Sequence, residues 1–115
     1  MRVLVCGGRD YDDDDRVFSV LNNYDADHNF TALIEGGATG ADSAAKRWAQ
    51  IGKLPIFTFR ADWKKHGKAA GPIRNERMII EGRPDLVIAF PGGRGTRNMI
   101  ETARRHGVDV IVVTP

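Results

Sequence analysis

Short apolar runs punctuate this chain, and most of them stop at a turn-forming pair. Val3-Leu4-Val5-Cys6 ends at Gly7-Gly8, and Ala32-Leu33-Ile34-Glu35 ends at Gly36-Gly37. Pro55 to Phe59 ends at Arg60-Ala61-Asp62, Leu86 to Phe90 at Pro91-Gly92-Gly93, and a last run covers Val108 to Val113. Runs this short, with β-branched residues and a glycine stop, predict strands. They do not alternate apolar with polar, which predicts a parallel sheet covered on both faces.

The segments between them carry a helical period. Val17, Val20, Leu21 and Tyr24 form one stripe, with Asp12 to Asp15 at its start, where the helix dipole favours carboxylates. Ala41, Ala44, Ala45, Trp48 and Ala49 form a second stripe that ends by Gly52, and Trp48 falls on its core side. A third helix is expected from Pro72 to Glu81, with proline in the first turn. Met99, Ile100, Ala103 and His106 mark a fourth, closed by Gly107. Asp62 to Gly71 is left as an extra loop, either a lid over a pocket or a surface for a partner subunit. Strictly alternating strands and helices predict an α/β fold, a Rossmann-like doubly wound parallel sheet of five strands in one domain over residues 1–115.

In such sheets ligands bind beyond the C-terminal strand ends, where the strand order reverses. With order 3-2-1-4-5 the reversal brings Gly7-Gly8-Arg9-Asp10 beside Pro91-Gly92-Gly93-Arg94-Gly95-Thr96, next to Gly36-Gly37-Ala38-Thr39-Gly40-Ala41-Asp42. The order 2-1-3-4-5 would put the glycine-free Arg60-Ala61-Asp62 there instead, so the glycine distribution favours the first. Glycine turns that open helices aim free N–H groups at an anion, and two such turns, leading to Asp42 and Thr96, would make a phosphate cradle. Thr39 and Thr96 would add hydroxyl donors.

Composition narrows the rest. Of 115 residues, 42% are hydrophobic and 28% charged, which suits a globular domain. A net charge of +2 does not announce a nucleic-acid binder. One cysteine, Cys6, excludes an internal disulfide and reads as a small buried residue in a reducing, cytoplasmic setting. No apolar run is long enough for a membrane span, and the first strand follows directly on Met1-Arg2. His28, His66 and His106 share no ligand spacing, and Asp12 to Asp15 read as a solvated helix start, so neither a metal nor a cofactor is expected.

The common nucleotide motifs are absent. Gly36 to Ser43 has no lysine at the P-loop position, and Gly93-Arg94-Gly95-Thr96-Arg97-Asn98 lacks the third glycine of the dinucleotide fingerprint. Among charged candidates, Arg74 suits a bidentate phosphate contact, against a surface ion pair as the plain alternative. Arg9 and Arg94 lie in glycine loops, facing either a phosphate or solvent. Asp42 and Asp10 would contact a ribose hydroxyl or complement a helix dipole.

Pro91-Gly92-Gly93-Arg94-Gly95-Thr96 resembles the PGGxGT motif of the LOG proteins, and Arg74-Asn75-Glu76-Arg77-Met78 is similar to the R-x-x-x-M helix that precedes it there. Closer still is the YspA-type, cpYpsA-related branch of the SLOG superfamily, found in bacteria and phages. Its pattern is similar to Gly7-Gly8-Arg9-Asp10-Tyr11, Gly36 to Asp42, and Ala70-Gly71-Pro72-Ile73-Arg74-Asn75. The resemblance spans nearly the whole chain. It implies a Rossmann-like fold that binds a nucleotide or nucleotide-derived ligand at the glycine loops, and a homodimer. LOG enzymes are phosphoribohydrolases of nucleoside monophosphates, and Arg74 matches their catalytic arginine. Their catalytic glutamate lies three residues after the threonine, where this chain has Met99. Glu101 lies two residues further on, about 200° round the helix. A binding module is therefore expected. An N-glycosidase would need another acid, such as Glu35 or Glu101. Single-stranded DNA binding, a property of the superfamily's DprA branch, would need a patch of Arg60, Lys64, Lys65 and Lys68.

Overall fold

Along the first strand, Val3 and Val5 turn to one face of a sheet and Leu4 and Cys6 to the other, and two separate cores form on them. A computed structural model describes residues 1–115. The elements are β1 (Arg2–Cys6), α1 (Asp14–His28), β2 (Ala32–Glu35), α2 (Ala41–Ile51), β3 (Ile56–Thr58), α3 (Trp63–His66), a single 3-10 turn (Gly67–Ala69), α4 (Ala70–Ile80), β4 (Leu86–Ala89), α5 (Arg94–Arg105) and β5 (Asp109–Val112). All strand pairs are parallel, in the order β3-β2-β1-β4-β5. The expected order and fold class are therefore observed.

Helices α1 and α2 cover the Val3/Val5 face, and α4 and α5 cover the Leu4/Cys6 face. Fully buried Ala41, Ala44, Ala45 and Ala49 let α2 lie close on the sheet. Trp48 is buried with them, its indole N–H donating to Asn22 Oδ1 at 2.8 Å. Asp13 caps α1 by accepting from Arg16 N–H at 3.0 Å, so the four-aspartate run divides into a cap and a first turn of Asp14 and Asp15.

Two expectations need correction. The outer strands β3 and β5 are not covered on both faces: Phe57 is 42% exposed and Val112 49%. They lie at the sheet edges, where the helix layers cover only part of each strand. Asp62 to Gly71 is not a loop either. Asp62 caps α3 by accepting from Lys65 N–H at 3.1 Å, the 3-10 turn follows, and α4 begins at Ala70, two residues before Pro72. No helix is long and apolar enough to cross a membrane.

Candidate functional site

The three glycine loops leave the C-terminal ends of β1, β2 and β4 and are laced to one another by their backbones. Gly8 N–H donates to Pro91 O at 2.9 Å, and Gly8 O accepts from Ala41 N–H at 3.3 Å and from Tyr11 N–H at 3.2 Å. The Thr39 hydroxyl donates to Arg9 O at 3.0 Å, so it ties two loops together instead of facing a ligand. Gly40 makes this approach possible. Its φ is +75°, and a Cβ would lie 2.6 Å from Arg9 O and closer still to Gly8 O. Gly40→Ala is expected to cost about 2 kcal/mol, read as a lower urea midpoint with unchanged slope.

Between the β1 and β4 loops opens a cavity of about 700 Å³. Its wall includes Gly7, Gly8, Arg9, Asp42, Arg74, Asn75 and Pro91 to Thr96, together with Cys6, Asp10, Tyr11, Trp63 and Met78. Gly36, Gly37 and Thr39 line an adjoining pocket of about 330 Å³. Gly40 lines neither and serves the packing described above. Most of the residues expected at a site thus meet around one opening.

The β4 loop presents its amides to the cavity. Gly93 is the N-terminal cap of α5 and has no side chain to cap with; Arg97 is the first residue whose N–H is satisfied, by Gly93 O at 3.0 Å. The N–H groups of Arg94, Gly95 and Thr96 have no acceptor within the chain. Gly93 and Gly95 also face open space, since a Cβ on either would meet nothing within 4 Å.

The β2 loop spends its leading amides differently. The amides of Gly36, Gly37 and Ala38 are already occupied. Asp42 Oδ2 accepts from Gly36 N–H at 3.1 Å and from Ala38 N–H at 3.3 Å, and Glu35 Oε1 accepts from Gly37 N–H at 2.8 Å. Asp42 therefore closes its own loop, a role beyond either alternative the sequence suggested. Burial pushes its carboxyl up to about 6, with Glu35 adding to the rise and the two amides and Arg74 opposing it.

Arg74 stands across the cavity, near the start of α4. Its Nε donates to Asn75 Oδ1 at 2.9 Å and its Nη1 to Gly36 O at 2.9 Å, which leaves Nη2 unbonded. Asn75 is buried and donates in turn to Gly95 O at 3.2 Å and Asn98 Oδ1 at 2.9 Å, so it fixes the arginine relative to the α5 turn. Burial lowers the Arg74 pKa; Asp42 opposes that shift and Arg9 adds to it.

The two acids that could replace the family glutamate lie outside this cavity. Glu35 is buried, with Gly37 N–H on one oxygen and the Thr58 hydroxyl on the other, and Glu101 is exposed on α5 outside the cavity. Met99 is fully buried in the core. Burial first, then Asp42, raises the Cys6 thiol pKa, so it stays protonated. No cluster of His, Cys, Asp and Glu with metal-binding geometry occurs.

The model of the family described as YspA, cpYpsA-related SLOG (YAcAr) matches residues 1–66, which contain the first two glycine loops. The chain belongs to this SLOG family. A relative, the Gene 61 protein of Mycobacterium phage D29, is 38% identical over 96% of this chain and 94% of its own length. Among solved structures, Acinetobacter baumannii MurG superposes with a TM-score of 0.61 at 14% identity, over 96% of this chain and 34% of that one. The SLOG chain thus spans about a third of MurG, and the likeness is one of fold.

Two further residues belong to these openings. The sequence places Trp63 in a segment that reads as a lid over the pocket or a partner surface, and Arg60 in a basic patch. Trp63 lines both openings, and Arg60 the smaller one. The available signal was position: Arg60 follows shortly after β3, at the same C-terminal sheet edge as the glycine loops.

Proposed function

We propose that this SLOG protein binds a nucleotide or nucleotide-derived ligand, its phosphate held between the α5 turn and Arg74, and acts as a ligand-binding module without glycosidic chemistry. SLOG membership itself points to nucleotide-related ligands in general. One observation carries the more specific reading: at Gly93 and Gly95 the fold has room for a side chain and the chain has none. Packing does not require glycine there, whereas close approach of an anion to the amides of Arg94 to Thr96 does. The guanidinium opposite supplies the charge.

The base has a platform in Trp63. The indole is 49% exposed, lines the cavity, and has the Arg9 guanidinium over its face, 5.4 Å from the ring centroid. A planar base stacks in the same way. The module reading is supported by the carboxylates of the cavity wall. These are Asp10, which is exposed, and Asp42, which is committed to its loop.

The test is a panel of nucleoside mono-, di- and triphosphates, ADP-ribose and NAD, read in parallel by thermal shift and by release of free base. A ligand at about 100 times its dissociation constant adds about 2.7 kcal/mol to stability. Stabilisation without base release is the expected result; no stabilisation by any member refutes the reading. Gly95→Ala separates fold from function. A Cβ on a helix leans toward its N-terminus, over the free amides. The variant is expected to melt no lower than the parent and to bind the same ligand about tenfold more weakly by calorimetry.

A further inference from the structure

Three guanidinium groups without an ion-pair partner line one small pocket together with Trp63. Arg9, Arg60 and Arg74 line the pocket of about 330 Å³, with Gly36, Gly37, Ala38, Thr39, Ala61 and Trp63 completing its wall. No carboxylate is among them. The chain's ion pairs all lie elsewhere, at Arg47–Asp14, Arg77–Glu81, and Arg105 and His106 with Glu76. Arg60 Nη1 donates to Gly37 O at 3.2 Å, and Arg74 Nη1 to Gly36 O at 2.9 Å, so both side chains are braced by the β2 loop and keep donors to spare. The Arg9 guanidinium has no hydrogen-bond partner and rests on the Trp63 ring. Like charges held around one hollow repel, and an anion between them turns that repulsion into attraction.

The two openings adjoin, since Arg9, Ala38, Trp63 and Arg74 line both. Arg60 lines the smaller one alone. We propose that the Arg9–Arg60–Arg74 pocket is a second anion subsite that takes a phosphoryl group additional to the one on the α5 turn. This rests on the nucleotide reading above and deepens it. The second phosphate is either part of the same ligand or a separate phosphate ion bound beside it. A ligand with two phosphate groups would lie across Arg74, with its base or sugar against Trp63.

Calorimetric titration tests this with AMP, ADP, adenosine 3′,5′-bisphosphate and ADP-ribose, each with and without inorganic phosphate, on the parent and on Arg60→Gln and Arg60→Lys. At least one two-phosphate ligand is expected to bind about tenfold or more tightly than AMP. Arg60→Gln should bring that ratio close to one, and Arg60→Lys should keep part of it. If a separate ion fills the subsite, added phosphate instead tightens AMP binding in the parent and not in Arg60→Gln. Absence of both effects in the parent, or their persistence in Arg60→Gln, overturns the subsite while leaving AMP binding as evidence for the first phosphate site. If no nucleotide binds, pyrophosphate titrated alone decides: Arg60-dependent binding upholds the subsite, and no such binding overturns it.

Discussion

Replacing Arg74 by alanine is expected to lower nucleotide affinity about 100-fold, the largest loss from any single cavity residue. The guanidinium is the one cationic side chain that lines both openings and is fixed by hydrogen bonds, to Asn75 and to Gly36 O. Hydrogen bonds to a charged partner contribute about 1.5–3 kcal/mol each, so losing one or two accounts for that factor. Arg74→Lys should restore only part of the binding, because an ammonium cannot brace the β2 loop and reach the ligand with a planar fork at once. The alanine variant also leaves Gly36 O without its donor, so unfolding free energy should fall by about 1 kcal/mol. Calorimetry together with urea denaturation separates the two effects. Unchanged nucleotide affinity in Arg74→Ala would reduce the residue to a structural brace.

The second large effect is one of pH. Asp42 titrates at about 6 in the folded chain, against an ordinary value of 3.8, with burial as the main cause. The folded state therefore holds this proton more tightly than the unfolded state. The stability it contributes is complete below the unfolded value and is lost as pH rises through the folded one, by about 3 kcal/mol in all. Asp42→Asn removes the titration but keeps an oxygen for the Gly36 and Ala38 amides, both of which bond a single carboxylate oxygen. The difference in unfolding free energy, variant minus parent, should therefore rise from its pH 4 value by about 2–3 kcal/mol by pH 7.5. Titrating groups that do not interact with Asp42 cancel in that difference. A difference that does not change with pH would show that the carboxyl is not held protonated by burial.

The sheet was legible because its signals are local. Val3 to Cys6 and Leu86 to Ala89 are apolar on both faces, glycine follows each, and the glycine loops cluster only in one of the two strand orders considered. Small alanines marked the sheet side of α2 without ambiguity. Trp63 to His66 was not legible as a helix because a single exposed turn buries no stripe; its one clue is an aspartate cap three residues before Lys65. Most of the cavity wall could be named from the glycine loops. The division of labour between those loops could not. Whether a turn's amides face a ligand or an internal acceptor depends on where one carboxylate points, and Asp42 follows Gly36 at a spacing that fits both a helix dipole and a closed loop. Arg60 reads as part of a basic patch for a related reason. The exposed Lys64 and Lys65 follow it within five residues, while its neighbours in space are Gly37 and Arg74.

Because all five strands point the same way, the two ends of the chain stand in different relations to the cavity. Met1 lies at the rim remote from the glycine loops, tied down by its amino group on Asn29 O at 3.0 Å and by Thr31 N–H on its own carbonyl at 2.9 Å. Strand β5 runs toward the glycine-loop rim, two strand spacings from β1, or roughly 10 Å. A fluorophore attached after Pro115 would therefore report occupancy from close range, whereas the same group ahead of Met1 would report from the far side of the sheet.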